Sequence, residues 1–283
     1  MGQDLWVSKS TGERRKGTGF LDFKKIFTDK ITAQVIYEAL VSCSAQSNAS
    51  DARQALTERD FDSAGVVDAQ ENIIGFVMTN SLIDGQVKDY LIEIKRDRII
   101  SDSTPLFEIF NVLKNNDFVY VNYIDKVVGI LSKADLNKPP VRIYIFGLIS
   151  LFEMHLSYWI KHYFPDDSWQ SVLSKGRLKI LEGVFAKRRE NGMNQQLTIK
   201  ECLQICDKKN ILLNNQKFID FFGCSKKKFK KSMESIESIR NNIAHAQNSI
   251  LDGSNIEIMS DALNFCEYFL IRSDDAVLEL AKN

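Results

Sequence analysis

Histidine is nearly missing from this chain, with three in 283 residues, and the five cysteines are odd in number and scattered. A zinc site wants two ligand pairs at fixed spacing. The one close pair, Cys202 and Cys206, has no second pair beside it, so the thiols read as reduced core groups and no metal site is expected. An excess of charge of either sign is also absent: Lys+Arg and Asp+Glu stand at 37 each, which removes any global field drawing the protein to nucleic acid or acidic lipid. Such an attraction has to be local, and the C-terminal half is the slightly more basic one. Long apolar runs are lacking as well. The longest, residues 143–152, is about half of a membrane span and continues into Glu153, His155 and Lys161, so a buried helix is expected there and no membrane partner. The opening Met1-Gly2-Gln3-Asp4-Leu5-Trp6 has neither the apolar core of a secretory leader nor a myristoylation pattern, and cytoplasmic residence is the expectation.

What is present is enough apolar content, 44%, for two ordinary domains. Residues 1–20 hold Gly, Ser, Thr, Lys and Arg with few apolar side chains, a composition that predicts a flexible tail. Over residues 21–138 short helices alternate with short β-branched runs, and a repeat emerges. Val66-Val67-Asp68, a polar turn and Ile73-Ile74-Gly75-Phe76-Val77 match Tyr120-Val121-Asn122, a turn and Val127-Val128-Gly129-Ile130-Leu131 at an offset of 54 residues. Each hairpin is preceded by a predicted helix, 51–59 in one unit and 105–114 in the other. Thr104 is expected to cap the second, with Pro105 in its first turn. A single hairpin cannot bury enough surface to fold alone, so the two units should pack face to face. Lys138-Pro139-Pro140 reads as an extended link. After it, residues 141–283 read as an all-helical domain with helices at 141–164, 169–189, 199–208, 226–247 and 260–281 and a polar stretch before the fourth. The expected fold class is thus an α+β pair of βαβ-type repeats followed by an all-α bundle.

Ile100-Ser101-Asp102-Ser103-Thr104-Pro105-Leu106 and Gly129-Ile130-Leu131-Ser132-Lys133-Ala134-Asp135-Leu136 resemble a cystathionine-β-synthase (CBS) motif, with residues 60–82 resembling its other half. The resemblance covers about 105 residues and implies a tandem (Bateman) module with an adenine nucleotide as regulatory ligand in the cleft between halves. It implies further that Asp135, following Gly129, meets ribose hydroxyls and that Ser132 meets phosphate, chemistry that a carboxylate acceptor and a short hydroxyl donor can perform. The first repeat departs from the pattern, with Met78 and Ser81 at the matching positions and no aspartate, and Thr79 adjacent. One competent site per module is expected.

The other motif is Arg240-Asn241-Asn242-Ile243-Ala244-His245, preceded by a lysine-rich stretch. A guanidinium can hold a phosphate or a pentavalent transition state, and an imidazole can take or give a proton near neutral pH, which are the two roles metal-free RNA cleavage needs. Phe229, Met233, Ile236, Ile239 and Ile243 define the buried face of the predicted helix, and Asn241 and His245 share another. Arg240 lies roughly 140° round that helix from His245. Either the helix frays before Gly253 or a second copy supplies the missing group.

Arg-Asn-x-x-x-His near a helix end in a small helical domain resembles the HEPN family (higher eukaryotes and prokaryotes nucleotide-binding). That resemblance implies a metal-independent endoribonuclease working as a homodimer, needing no cofactor for catalysis and leaving 2′,3′-cyclic phosphate and 5′-hydroxyl ends. It assigns His245 as general base or acid, Arg240 as phosphorane stabiliser and Asn241 as an orienting group. It also asks for an acidic or polar residue from an earlier helix, for which Glu153 is the candidate; Arg240 could equally pair with Glu237 or Glu234 as surface charge. Lys226, Lys227, Lys228, Lys230 and Lys231, with Lys208, Lys209 and Lys217 before them, are expected either to hold an RNA backbone or to form a solvated helix face. His155 and His162 read as structural. The combined expectation is a ligand-regulated endoribonuclease of the kind found in toxin–antitoxin or antiviral defence systems. The alternatives are a non-catalytic adaptor whose bundle binds a partner protein or nucleotide, and a nucleotide-binding partner of a nucleotidyltransferase.

Overall fold

The structure divides near residues 27 and 140. The computed structural model describes residues 6–8, 10–190, 198–245, 249–251 and 255–282. One unit is Phe27–Pro140; the other combines residues 1–26 with Val141–Asn283. Helix α1 (Phe20–Asp29) carries the chain from the second unit into the first.

The α+β unit begins with β1 (Glu38–Ala39) and then runs twice through one sequence of elements. The first pass is β2 (Ser42–Ser44), α2 (Ala49–Thr57), β3 (Ser63–Val67) and β4 (Ile73–Met78). The second is β5 (Ile99–Ser101), α3 (Leu106–Lys114), β6 (Phe118–Tyr123) and β7 (Lys126–Ser132). In each, the short first strand lies parallel to the middle strand and the last two form an antiparallel hairpin, giving sheets β2-β3-β4 and β1-β7-β6-β5. The expected face-to-face packing is present: Phe76 of β4 meets Tyr120 of β6 at 5.5 Å and Phe118 at 5.9 Å between ring centroids.

The register sharpens the repeat. Gly75 pairs with Val66 and Gly129 with Val121, so the sequence match of Val66 to Tyr120 is displaced by one residue. The cause is the turns. In the first hairpin the Asp68 carboxylate accepts the amides of Gln70 and Asn72, holding a longer loop, whereas the second closes through Ile124 and Asp125, both at positive φ, a two-residue hairpin turn. Both glycines sit where another segment crosses. A Cβ at Gly75 would meet the Ile92 carbonyl, and one at Gly129 would meet the Tyr37 ring and the Glu38 carbonyl. Asn48 caps α2 through Ser50 and Asp51, but α3 differs from expectation: Pro105 occupies the cap position itself and Thr104 provides no side-chain cap. The freed Leu106 amide bonds to the Ile31 carbonyl instead.

In the helical unit, α4 (Pro139–Tyr163) begins at the two prolines, which correct the expected extended link. The first turn of a helix needs no amide donors, so Pro139 and Pro140 start it. By length and composition α4 could cross a membrane, yet 56% of its most apolar window is buried among its neighbours. Next come α5 (Lys175–Glu190), α6 (Ile205–Leu213), α7 (Gln216–Phe222), α8 (Lys226–Ala244) and α9 (Ile256–Lys282). The helix expected at 199–208 is instead a 3-10 turn at Ile199–Cys202 followed by α6, and the supposed polar stretch contains α7, capped by Asn215 and ended by Gly223 at φ 63°. Its buried Phe218 and Phe222 join Phe229 and Phe269, with Phe222 stacked on Phe269 at 4.3 Å. On α8 the predicted face is fully buried at Phe229, Met233, Ile236 and Ile239 and only partly so at its last member, Ile243.

The expected flexible tail at 1–20 is not what the described part of it forms, and the boundary expected near residue 20 moves with it. Trp6 is 2% exposed and lies 5.0 Å from the His155 ring and 5.6 Å from Tyr158. Arg14 pairs with Asp274 of α9 at 2.6 Å, whose other oxygen accepts the Phe20 amide. One tryptophan, one phenylalanine and one buried ion pair are enough to order a segment whose remaining composition is polar.

Candidate active-site cleft

Three helices bring Glu153, Arg240 and Lys208 to one wall. Glu153 stands on α4, Arg240 on α8, and the Arg240 Nε lies 3.6 Å from Glu153 Oε1. The third helix, α6, supplies a residue that the sequence reading left in a surface run. Lys208 is buried, and its ammonium is 3.3 Å from Glu153 Oε2 and 3.3 Å from the Glu153 carbonyl oxygen. Burial pulls the Lys208 ammonium below its ordinary range, against the opposing pull of Glu153. These three residues, with Trp6, Phe146, Ile149, Ser150, Met154, Ser157, Lys161, Lys200 and Glu201, line a cleft of about 400 Å³.

Lys208 belongs to a row of consecutive charges on α6 that point three ways. Asp207 takes a bidentate pair from Arg177 of α5 at 2.7 and 2.8 Å, Lys208 faces Glu153, and Lys209 reaches Glu234 of α8 at 3.5 Å. All three are buried, which corrects the placement of Lys208 and Lys209 in an exposed basic run. A signal existed: Ile205, Lys208, Lys209 and Leu212 fall at spacings of three and four, the positions of a buried helix stripe.

His245 is elsewhere. It is exposed at the C-cap of α8, with φ −92° and ψ 10°, its amide bonded to the Asn241 carbonyl, and it is not among the residues lining the cleft. The helix keeps its form through Ala244, so the predicted angular separation of Arg240 and His245 holds within one copy. Asn241 accepts a hydrogen bond from the Arg240 guanidinium at 3.3 Å. Residues 246–248 and 252–254, where the helix was expected to run on and fray, lie outside the described residues.

The exposed lysines do not converge on this cleft either. Lys228 and Lys231 line a separate groove between α8 and α9 with Ser232, Ser235 and Tyr268. Lys230 faces Glu234 at 4.0 Å. By helical angle, Lys226 and Lys230 are within roughly 80° of Arg240, while Lys227, Lys228 and Lys231 are turned away. His155 is a core group, as read from sequence. It is fully buried with Nδ1 2.6 Å from the Ser273 hydroxyl, which also accepts the Trp159 indole at 2.6 Å, and burial followed by the Arg14 charge pushes its pKa down to about 3.

In the α+β unit the four candidate residues separate. The Asp135 carboxylate, 8% exposed, accepts the Ser132 amide at 2.7 Å and the Ser132 hydroxyl at 3.0 Å, and its other oxygen pairs with Lys138 at 2.9 Å. This is a closed capping box on the 3-10 turn Lys133–Asn137, and Ser132 and Asp135 satisfy each other. Gly129 is the strand crossing described above. Thr79 lines a different cleft of about 430 Å³, with Thr57, Asn80, Asp62, Asp117 and Phe118 among its walls and its hydroxyl donated to the Phe61 carbonyl at 2.5 Å. That cleft draws on both repeats, and its carboxylates Asp60, Asp62 and Asp117 outnumber the single Arg53.

No family model matches the chain, and no curated protein matches it. Solved structures do. CBSX2 in complex with AMP is 18% identical, covers 40% of this chain and 97% of its own, and has a TM-score of 0.34. A conserved CBS domain protein of unknown function from Thermoplasma acidophilum is 16% identical over 41% of this chain and 74% of its own, TM-score 0.33. The CBS domains of a transcriptional regulator from Streptococcus pneumoniae are 11% identical over 38% of this chain and 98% of their own, TM-score 0.33.

Proposed function

We propose that the protein is a cytoplasmic, metal-independent endoribonuclease that acts as a homodimer under the control of an adenine nucleotide at its α+β unit, an effector of the toxin–antitoxin or antiviral kind. The observation that carries the reading is the meeting of Glu153 and Arg240, 87 residues apart in sequence, at 3.6 Å on the wall of one cleft. In the HEPN-like mechanism Arg240 stabilises charge on the phosphorane. His245 takes the 2′-hydroxyl proton as that oxygen attacks phosphorus, and the P–O5′ bond breaks with the 5′-oxygen taking a proton from water, giving a 2′,3′-cyclic phosphate and a 5′-hydroxyl. Because His245 lies outside the cleft of its own copy, a second copy presents it, and its exposed place at the helix end leaves it free to do so. The regulatory half rests on the two-repeat topology and on the Thr79 cleft, whose acidic walls suit ribose and base better than phosphate.

A second reading has an observation of its own. A cleft without an imidazole suits a non-catalytic adaptor that holds a ligand or partner. RNA incubated with the full chain in chelator separates the two. The nuclease gives cuts ending in cyclic phosphates, lost in His245→Ala and in Arg240→Ala, and a mixture of those two inactive variants regains activity because a mixed dimer holds one complete site. Intact RNA from a folded wild-type dimer, with and without adenine nucleotides, leaves the adaptor.

A further inference from the structure

The cleft carries more positive charge than its one central carboxylate offsets. Of its lining residues Lys161, Lys200, Lys208 and Arg240 are cations, against Glu153 and Glu201. Lys200 is held by Asp167 at 2.5 Å, and Glu201 closes a capping box with Thr198. Glu153 is therefore left facing both Lys208 and Arg240. Its contacts with them, at 3.3 and 3.6 Å, are long for charge-assisted bonds, which run roughly 2.7–2.9 Å. A buried ammonium has three donors to satisfy and a desolvation penalty to offset. Among the described residues it has two weak acceptors, both belonging to one residue. The Arg240 side chain is 45% exposed, and apart from Glu153 its guanidinium donates to the Asn241 carboxamide.

We propose that Lys208 and Arg240 form an anion-binding pair for a phosphodiester, and that Glu153 fills the pair in the free protein as an internal anion that an incoming phosphate displaces. Glu153 then acts as a competitor for the site, and Lys208, expected from sequence either on an RNA backbone or on a solvated face, is a buried ligand-binding residue. The walls beside the pair, Phe146 at 54% exposure and Met154 at 36%, offer apolar surface next to the charge, as a nucleoside phosphate requires. The inference takes the same cleft as the nuclease reading, but it concerns binding alone and no bond is made or broken.

The probe is the deoxydinucleotide dTpdT, which has one diester and no 2′-hydroxyl, titrated calorimetrically into the full-length His245→Ala protein so that cutting plays no part. Glu153→Gln, which removes the competing charge at constant shape, tightens binding by about tenfold, and Lys208→Met weakens it by about tenfold. Far-UV circular dichroism checks that each variant is folded. Should Lys208→Met fail that check, Glu153→Asp, which withdraws the carboxylate by one methylene, serves as the second arm and also tightens binding. Affinity unchanged or weakened in Glu153→Gln overturns the proposal. If RNA is cut but Glu153→Gln does not tighten, the inference fails alone; if Glu153→Gln tightens and no RNA is cut, the nuclease reading fails alone.

Discussion

Asp135 and Glu153 are two acids that the sequence offers as functional groups, one in each unit, and the structure treats them in opposite ways. Asp135 has a full set of partners at 2.7, 3.0 and 2.9 Å, all within six residues of itself or on the same turn. Glu153 has partners from two other helices at 3.3 and 3.6 Å and borders a cleft. A carboxylate whose neighbours already satisfy it is part of the frame. One that is stretched between cations from separate elements is available to be replaced.

The largest effect that would sharpen this contrast is catalytic. His245→Ala lowers cleavage by roughly 10²- to 10⁴-fold, measured by end-mapped RNA products, with no change in melting temperature because the residue is exposed. Equal cleavage by the variant would break the assignment of chemistry to the helical unit.

Next is Asp135→Ala, which removes the capping box and leaves Lys138 to its remaining partners, the Glu38 carboxylate and the Ile36 carbonyl. A loss of about 2 kcal/mol is expected in urea denaturation of the full chain, followed by circular dichroism. If stability holds and nucleotide binding is lost, Asp135 is a ligand residue after all and the contrast collapses.

The third concerns pH. His155 sits in the folded helical unit at a pKa of about 3, beside Arg14 and Asp274, while in the unfolded chain it titrates near 6.5. The unfolded state therefore binds the extra proton first. Stability falls as pH drops from about 6.5 toward 3, by up to about 1.4 kcal/mol per pH unit from this group. Asp274, raised by burial, works against it: its contribution is present below its unfolded value and is lost as pH rises through the folded one. The three tryptophans, Trp6, Trp159 and Trp169, all lie in the helical unit, so their fluorescence follows this unit alone. A flat stability profile from pH 7 to 5 would place the His155 imidazole in a wetter setting than the one described.

The smallest is Tyr120→Phe in the α+β unit. The Tyr120 hydroxyl is buried without a hydrogen-bond partner, and burial raises its pKa. Deleting it is expected to be neutral or stabilising by about 1 kcal/mol in thermal melts. A loss of that size would mean that the hydroxyl serves the sheet interface.

Much of the α+β unit was legible because its repeat is written in glycines and β-branched runs that backbone geometry demands. The one-residue register error came from turns of unequal length, which a fixed offset cannot express. The helical unit was harder. Residues 209–225 look polar when averaged, yet Ile211, Leu212, Phe218, Ile219 and Phe222 are core, spaced at the turns of two short helices. Glu153 and Arg240 could be proposed as neighbours from the motif resemblance, which asks for an acid from an earlier helix. Lys208 could not, because a lysine in a basic stretch looks like a surface residue until the apolar stripe running through it is traced.

The clasp of Arg14 on Asp274 and of Trp6 on α4 means that the helical unit is sewn from chain on both sides of the α+β unit. During synthesis, the first 26 residues emerge long before the helices that receive them, and the whole of Phe27–Pro140 is made in between. The helical unit is thus closed only after the α+β unit has been made. Cutting out the segment that carries Trp6 and Arg14 would disturb a unit built mostly from the far side of Phe27–Pro140.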